Sequence, residues 1–256
     1  MKFGIYLASI ITIANMASGM YSILNSIQQR YTAAAWLILL SVFLDGIDGI
    51  VARATRTTSL LGVELDSFSD FVSFCIAPVV MMYFIVLKQL GVPGMAVGFV
   101  YIVFGALRLA KFNIISFDMK SPAPYFEGLP TTAAGGILAS FVLIFELFER
   151  FEQGLTHKAI PVLMNRVPFI FEILPVVILI LGFLMVSKLR YTAFSKLKAS
   201  KRMSLRFFLL LIVAVLLIVA YPENIIFVIF VTYLISGIVN YFWRMYQMSR
   251  KGRRHV

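Results

Sequence analysis

Acidic residues are scarce in this chain, and their positions give the first clue to its chemistry. Twelve of its 256 residues are acidic, five of them aspartates, and four of these (Asp45, Asp48, Asp66 and Asp70) fall within 26 residues. Asp45 and Asp48 stand i,i+3, and Asp66 and Asp70 stand i,i+4, so on helices each pair projects from one face. Between the pairs, Arg53 to Ser59 reads as a short connection, and helices joined by a short loop pack antiparallel. The two pairs then face each other. Facing carboxylates offer the hard oxygen ligands that Mg²⁺ and related divalent ions prefer. Arg53 adds a planar donor fork suited to phosphate oxygens. Gly49, Ala52 and Gly62 leave room for a ligand or another backbone to approach. Cys75 is the single cysteine, and His157 and His255 are remote in sequence, so neither a disulfide nor a Ser-His-Asp arrangement is expected.

The elements that must position these groups belong in a bilayer. The chain is 61% hydrophobic and 14% charged, against about 25% charged in soluble domains. Eight apolar runs approach the ~20 residues needed to span a hydrocarbon core: 4–27, 32–50, 62–87, 95–112, 128–148, 168–186, 207–221 and 224–243. An all-α polytopic bundle of about eight helices is therefore expected, filling residues 1–256 as one transmembrane domain. The first run is longer than a signal-peptide core and reads as a span. A carboxylate at a helix centre costs ~2.5–3.5 kcal/mol on insertion scales, so four in one place need an offsetting partner such as bound cations.

The net charge of +11 is unevenly placed. Alternating the eight spans puts 18 of the 23 Lys and Arg on one side, leaving only Arg30, Lys88, Arg150, Lys158 and Arg166 on the other. Such asymmetry orients the basic side, both termini and the aspartate cluster toward the cytoplasm. Basic segments such as Lys196 to Arg206 then serve anionic membrane lipids, and nucleic-acid binding is not expected.

The segment Asp45-Gly46-Ile47-Asp48-Gly49-Ile50-Val51-Ala52-Arg53, followed after eight residues by Gly62-Val63-Glu64-Leu65-Asp66-Ser67-Phe68-Ser69-Asp70, resembles the signature of the CDP-alcohol phosphatidyltransferase family. It matches D-x2-D-G-x2-A-R-x8-G-x3-D-x3-D at all eight fixed positions. The resemblance implies that Asp45, Asp48, Asp66 and Asp70 bind two divalent metal ions, Mg²⁺ or Mn²⁺, with Asp70 also the general base. It implies that Gly49, Ala52, Arg53 and Gly62 contact the CDP moiety of a CDP-linked lipid, and that the protein is a homodimer. A cation transporter also lines its path with aspartates, but gives no reason for those four residues at their spacings.

Within the family, Gly105 to Asn113, Phe126 to Pro130, Leu184 to Ser187, and Thr12, Asn15 and Gly19 resemble the membrane-embedded branch that uses L-serine as acceptor. The expected reaction is a single displacement giving the lipid-phosphate ester of serine and CMP. Glycerol 3-phosphate and inositol phosphate are the alternative acceptors, and their phosphates call for a denser cationic pocket. Arg108 and Lys111, spaced i,i+3 at the cytoplasmic end of the fourth span, are the candidates for the serine carboxylate. Arg108 lies deeper and can bind a carboxylate through two parallel bonds. A snorkelling role, or contact with donor phosphate, is the alternative. The loop from Glu149 to Arg166 fits no part of this pattern and reads as a peripheral insertion.

Overall fold

The computed structural model describes residues 2–55, 60–118, 125–153, 172–187, 189–192 and 220–252. In chain order its elements are α1 (Lys2–Ile27), α2 (Tyr31–Thr55), α3 (Leu60–Asp70), a π-helical turn (Phe71–Ile76), α4 (Ala77–Ile85), a 3₁₀ turn (Leu87–Leu90) and α5 (Val92–Asp118). There follow β1 (Tyr125–Glu127), α6 (Thr131–Glu152), α7 (Leu174–Val186), β2 (Arg190–Thr192) and α8 (Pro222–Gly252). Six stretches among the described residues are long and apolar enough to cross a bilayer: Ser9–Ile27, Tyr31–Val51, Leu60–Ile85, Val92–Ile114, Thr131–Arg150 and Pro222–Trp243. The seventh, α7, is a shorter apolar helix, and the run expected at 207–221 lies outside the described residues. The chain is thus a multi-pass helical membrane protein.

Helix α6 forms the buried centre, with Ala134, Leu138, Ala139 and Ile144 wholly enclosed. It packs against α2, α8 and the π turn. On the other side α1 lies against α2, α3, the π turn and α4. Its inner face carries small polar residues at helical spacing, Thr12, Asn15, Ser18, Ser22 and Ser26, all buried. Ser18 Oγ donates to Leu37 O at 2.8 Å, and Ser22 Oγ donates to Ala34 O at 2.9 Å. Between helices in a bilayer, small residues and hydroxyl-to-carbonyl bonds supply the attraction that apolar faces alone do not.

The third span is one long helix broken by the π turn, and the sequence explains the break. Pro78 sits at the start of α4 and brings no N–H to the ladder. The Ala77 N–H reaches back five residues to Val72 O instead of four. Phe74 O, the carbonyl that residue 78 would normally serve, accepts the buried Tyr101 hydroxyl of α5 at 3.2 Å. Two glycines let neighbours close on this turn. A Cβ on Gly19 would meet Ser73 Cα at 2.7 Å, and one on Gly105 would collide with the Cys75 side chain. Cys75 is a buried packing residue.

The expectation of a purely helical protein omits one small element. β1 and β2 pair antiparallel, with Phe126 opposite Tyr191 and Glu127 opposite Arg190. Gly128 makes the exit from this ribbon with φ of +80°, a conformation glycine adopts without penalty. Its N–H donates to Leu189 O at 2.8 Å, and Leu129 N–H donates to Leu184 O at 2.9 Å.

The Pro78 and Tyr101 arrangement is testable by a double-mutant cycle. Tyr101→Phe leaves Phe74 O unserved, and an unsatisfied buried polar group costs ~1–3 kcal/mol. In a Pro78→Ala background, where an amide is restored, the same change should cost clearly less, as read from melting in detergent. Equal losses in both backgrounds would refute the coupling.

Candidate active site

Two aspartate-bearing helices meet through a third element. Thr12 Oγ1 of α1 donates to Asp48 Oδ2 at 3.3 Å, while Thr12 O accepts Ser69 Oγ of α3 at 3.0 Å. One turn further along, Asn15 O accepts both Ser41 Oγ of α2 at 3.3 Å and Ser73 Oγ of the π turn at 3.0 Å. Helix α1 is therefore the spacer that sets the separation of the two carboxylate pairs. Opposite it, Asn113 Nδ2 of α5 donates to Ser67 Oγ at 2.9 Å, and Ser67 Oγ donates to Val63 O at 3.1 Å. The face of α3 that carries Asp66 and Asp70 is held from both sides.

Three of the four expected carboxylates converge. Carboxylate oxygens of Asp45, Asp48 and Asp66 lie within 4.8 Å of one another, Asp48 being buried and the other two half-buried. Asp70 follows Asp66 by one turn, and its charge interacts with Asp45, Asp66, Arg108 and Asp48. Buried Oδ1 atoms of Asp66 and Asp70 have no hydrogen-bond partner in the protein. Closely grouped carboxylates with unused oxygens fit divalent-cation binding, because each oxygen left dry needs a positive or donor partner. The cluster can coordinate divalent metal.

Other candidates fall in two groups. Gly49 follows Asp48 in α2, and Gly62 lies in the first turn of α3, both half-buried. Ala52 and Arg53 lie in the last turn of α2, and the connection at 56–59 is outside the described residues. Arg108 and Lys111 part company. Arg108 is half-buried, interacts with the charges of Asp70 and Asp45, and donates through Nη1 to Thr131 Oγ1 at 3.1 Å. Its Nε is buried without a partner. Lys111 is exposed, and its Nζ lies 3.3 Å from Glu127 Oε2 on the ribbon. Thr131 and Tyr233, which also interacts with Arg108, were not legible as site residues: the one reads as a helix start and the other as part of an apolar span. The first four residues of the insertion at 149–166 simply continue α6 to Glu152, and 154–166 lie outside the described residues.

Residues 5–165 match the family model described as CDP-alcohol phosphatidyltransferase. The chain belongs to this family. As a CDP-alcohol phosphatidyltransferase it is a membrane enzyme that moves the phosphatidyl group of a CDP-linked lipid onto an alcohol. It is 35% identical over 238 residues to a CDP-diacylglycerol–serine O-phosphatidyltransferase of Helicobacter pylori, covering 93% of this chain and 91% of the relative. The enzyme of the same description from Bacillus subtilis is 37% identical over 130 residues, 51% of this chain and 71% of the relative. An archaetidylserine synthase of Methanothermobacter thermautotrophicus is 36% identical over 141 residues, 54% of this chain and 58% of the relative.

Neutralising the cluster should abolish turnover. Asp45→Asn, Asp48→Asn and Asp66→Asn are each expected to remove nearly all CMP release, since an amide is a poorer ligand and leaves its neighbours under-compensated. Excess chelator should silence the native enzyme and added divalent ion restore it. Full activity of metal-stripped protein in chelator would sink the assignment.

Proposed function

We propose that this enzyme transfers the phosphatidyl group of its CDP-linked lipid to the hydroxyl of L-serine, releasing CMP. The observation that carries the acceptor is Arg108: a half-buried guanidinium beside Asp70 with a buried, unpartnered Nε. A dry donor of this kind fits a carboxylate, which a guanidinium takes through two parallel bonds. Acceptors bearing phosphate call for several cations, and Lys111 is already engaged with Glu127. The likeness to serine-using relatives along nearly the whole chain supports the same choice.

In this reading Asp45, Asp48, Asp66 and Asp70 hold two divalent ions, Mg²⁺ or Mn²⁺. When bound, those ions supply Lewis-acid polarisation of the pyrophosphate and neutralise charge on the departing CMP. Gly49, Ala52, Arg53 and Gly62 contact the CDP moiety of the donor. Thr12 holds the Asp48 carboxylate in one orientation. The unpartnered Asp70 oxygen accepts the serine hydroxyl proton as the serine oxygen attacks the lipid-side phosphorus and the bond to CMP breaks. Proton transfer in place requires a base within hydrogen-bond reach, and the coupling of Asp70 to both Asp66 and Arg108 supports that role. The whole chain acts as one transmembrane domain in the cell membrane, a homodimer with both termini and the active site on the cytoplasmic side, as the Lys and Arg distribution supports.

Asp70→Asn separates base from ligand. Loss of general base catalysis is worth ~10²–10⁴-fold, so turnover should fall by that order while donor affinity changes little; a collapse of donor affinity to match would make Asp70 chiefly a ligand. The acceptor is decided by offering purified enzyme L-serine, glycerol 3-phosphate or inositol phosphate in turn and measuring CMP. Arg108→Lys should raise KM for serine at least several-fold, about the tenfold expected per ~1.4 kcal/mol of lost interaction, with KM for the CDP-lipid little changed. A defect confined to the donor refutes the role given to Arg108.

A further inference from the structure

Next to Arg108 lies a pair of tyrosines that the reading above does not use. Tyr191 of β2 and Tyr233 of α8 stack with ring centroids 5.5 Å apart and planes 35° from parallel. Tyr191 is wholly buried, and its hydroxyl has no hydrogen-bond partner. Tyr233 interacts electrostatically with both Tyr191 and Arg108. Electrostatic contacts therefore link Asp70 to Arg108, itself bonded to Thr131, then Arg108 to Tyr233 and Tyr233 to Tyr191.

The position of Tyr191 is built rather than incidental. The ribbon brings β2 against α8, and Gly237 leaves the notch into which the Tyr191 ring fits, for a Cβ there would overlap the ring. A hydroxyl sealed in this way without a partner costs ~1–3 kcal/mol, a cost that a ligand group can relieve. Burial also pushes the Tyr191 phenol up to about 12, so it stays neutral at working pH and its oxygen lone pairs can accept.

We propose that Tyr191 and Tyr233 form the subsite that receives the ammonium group of the acceptor amino acid. This rests on the serine reading. The Cα of serine carries three polar arms: the hydroxymethyl group must reach Asp70, and the carboxylate goes to Arg108. The third arm, the ammonium, then meets the phenol oxygens and ring faces, which attract a desolvated cation. Three different partners around one carbon also fix its handedness. The tyrosines are specificity residues, with no part in bond making.

The test compares steady-state constants for native enzyme, Tyr191→Phe and Tyr233→Phe, each change removing one oxygen and keeping the ring. KM for L-serine should rise about tenfold in Tyr191→Phe, the size expected for losing a hydrogen bond to a charged group. KM for the CDP-lipid should stay within a factor of about two, and so should competitive inhibition by 3-hydroxypropionate, which has the carboxylate and hydroxyl but no ammonium. Should Tyr191→Phe fail to fold, judged by melting, Tyr233→Phe carries the same comparison. Unchanged KM for L-serine in both variants overturns the subsite, as does an equal loss for L-serine and 3-hydroxypropionate, which marks a packing role. If native enzyme releases CMP with another alcohol and not with L-serine, the serine reading itself falls, and the subsite with it.

Discussion

Carboxylates repel one another and resist leaving water, and in this enzyme three of them are gathered within 4.8 Å inside a helical bundle of apolar surface. Everything near the site follows from holding them there. The restraint comes from helix α1, which has no charged residue between Phe3 and Arg30 and no part in the signature motif. Its hydroxyls and carbonyls meet those of α2, α3 and the π turn, and Thr12 touches both carboxylate helices at once. Because the surroundings are apolar, each such bond has few competitors and its geometry is correspondingly firm.

The same economy of polar groups explains which atoms are left over. Asp66 and Asp70 each keep a buried oxygen without a partner, Arg108 keeps Nε, and Tyr191 keeps its hydroxyl. Buried polar atoms are nearly always satisfied in folded proteins. Leftovers linked by mutual electrostatic contact, from Asp66 through Asp70 and Arg108 toward the tyrosines, trace the outline of what the site is shaped to hold.

Much of this was legible in the sequence. Spacing alone placed Asp45, Asp48, Asp66 and Asp70 on facing surfaces, and apolar runs located the spans, because both signals are local and periodic. The long-range partners were not legible. Nothing near Thr12 announces a bond to a residue 36 positions away, and Phe126 and Tyr191 pair across a gap that no local pattern bridges. Lys111 illustrates the limit well: it was read with Arg108 as matching the side of the aspartates, yet three residues further along the helix it is exposed and paired with Glu127. Pro78 was a usable signal for the π turn, since a proline well inside a spanning run forces the ladder to adjust.

That turn has a consequence for tolerance to insertion and deletion. Each residue of an α-helix advances the azimuth by ~100°, and a π turn accommodates one residue beyond the regular count. The stretch from Phe71 to Ile76 thus works as an angular coupling between two rigid shafts: α3 is clocked to present Asp66 and Asp70 to α2, while α4 is clocked separately to bury Val79, Met81 and Met82. Removing one residue from the coupling would leave both shafts helical, but would rotate one against the other by about a quarter turn, turning either the carboxylates or the core residues out of register.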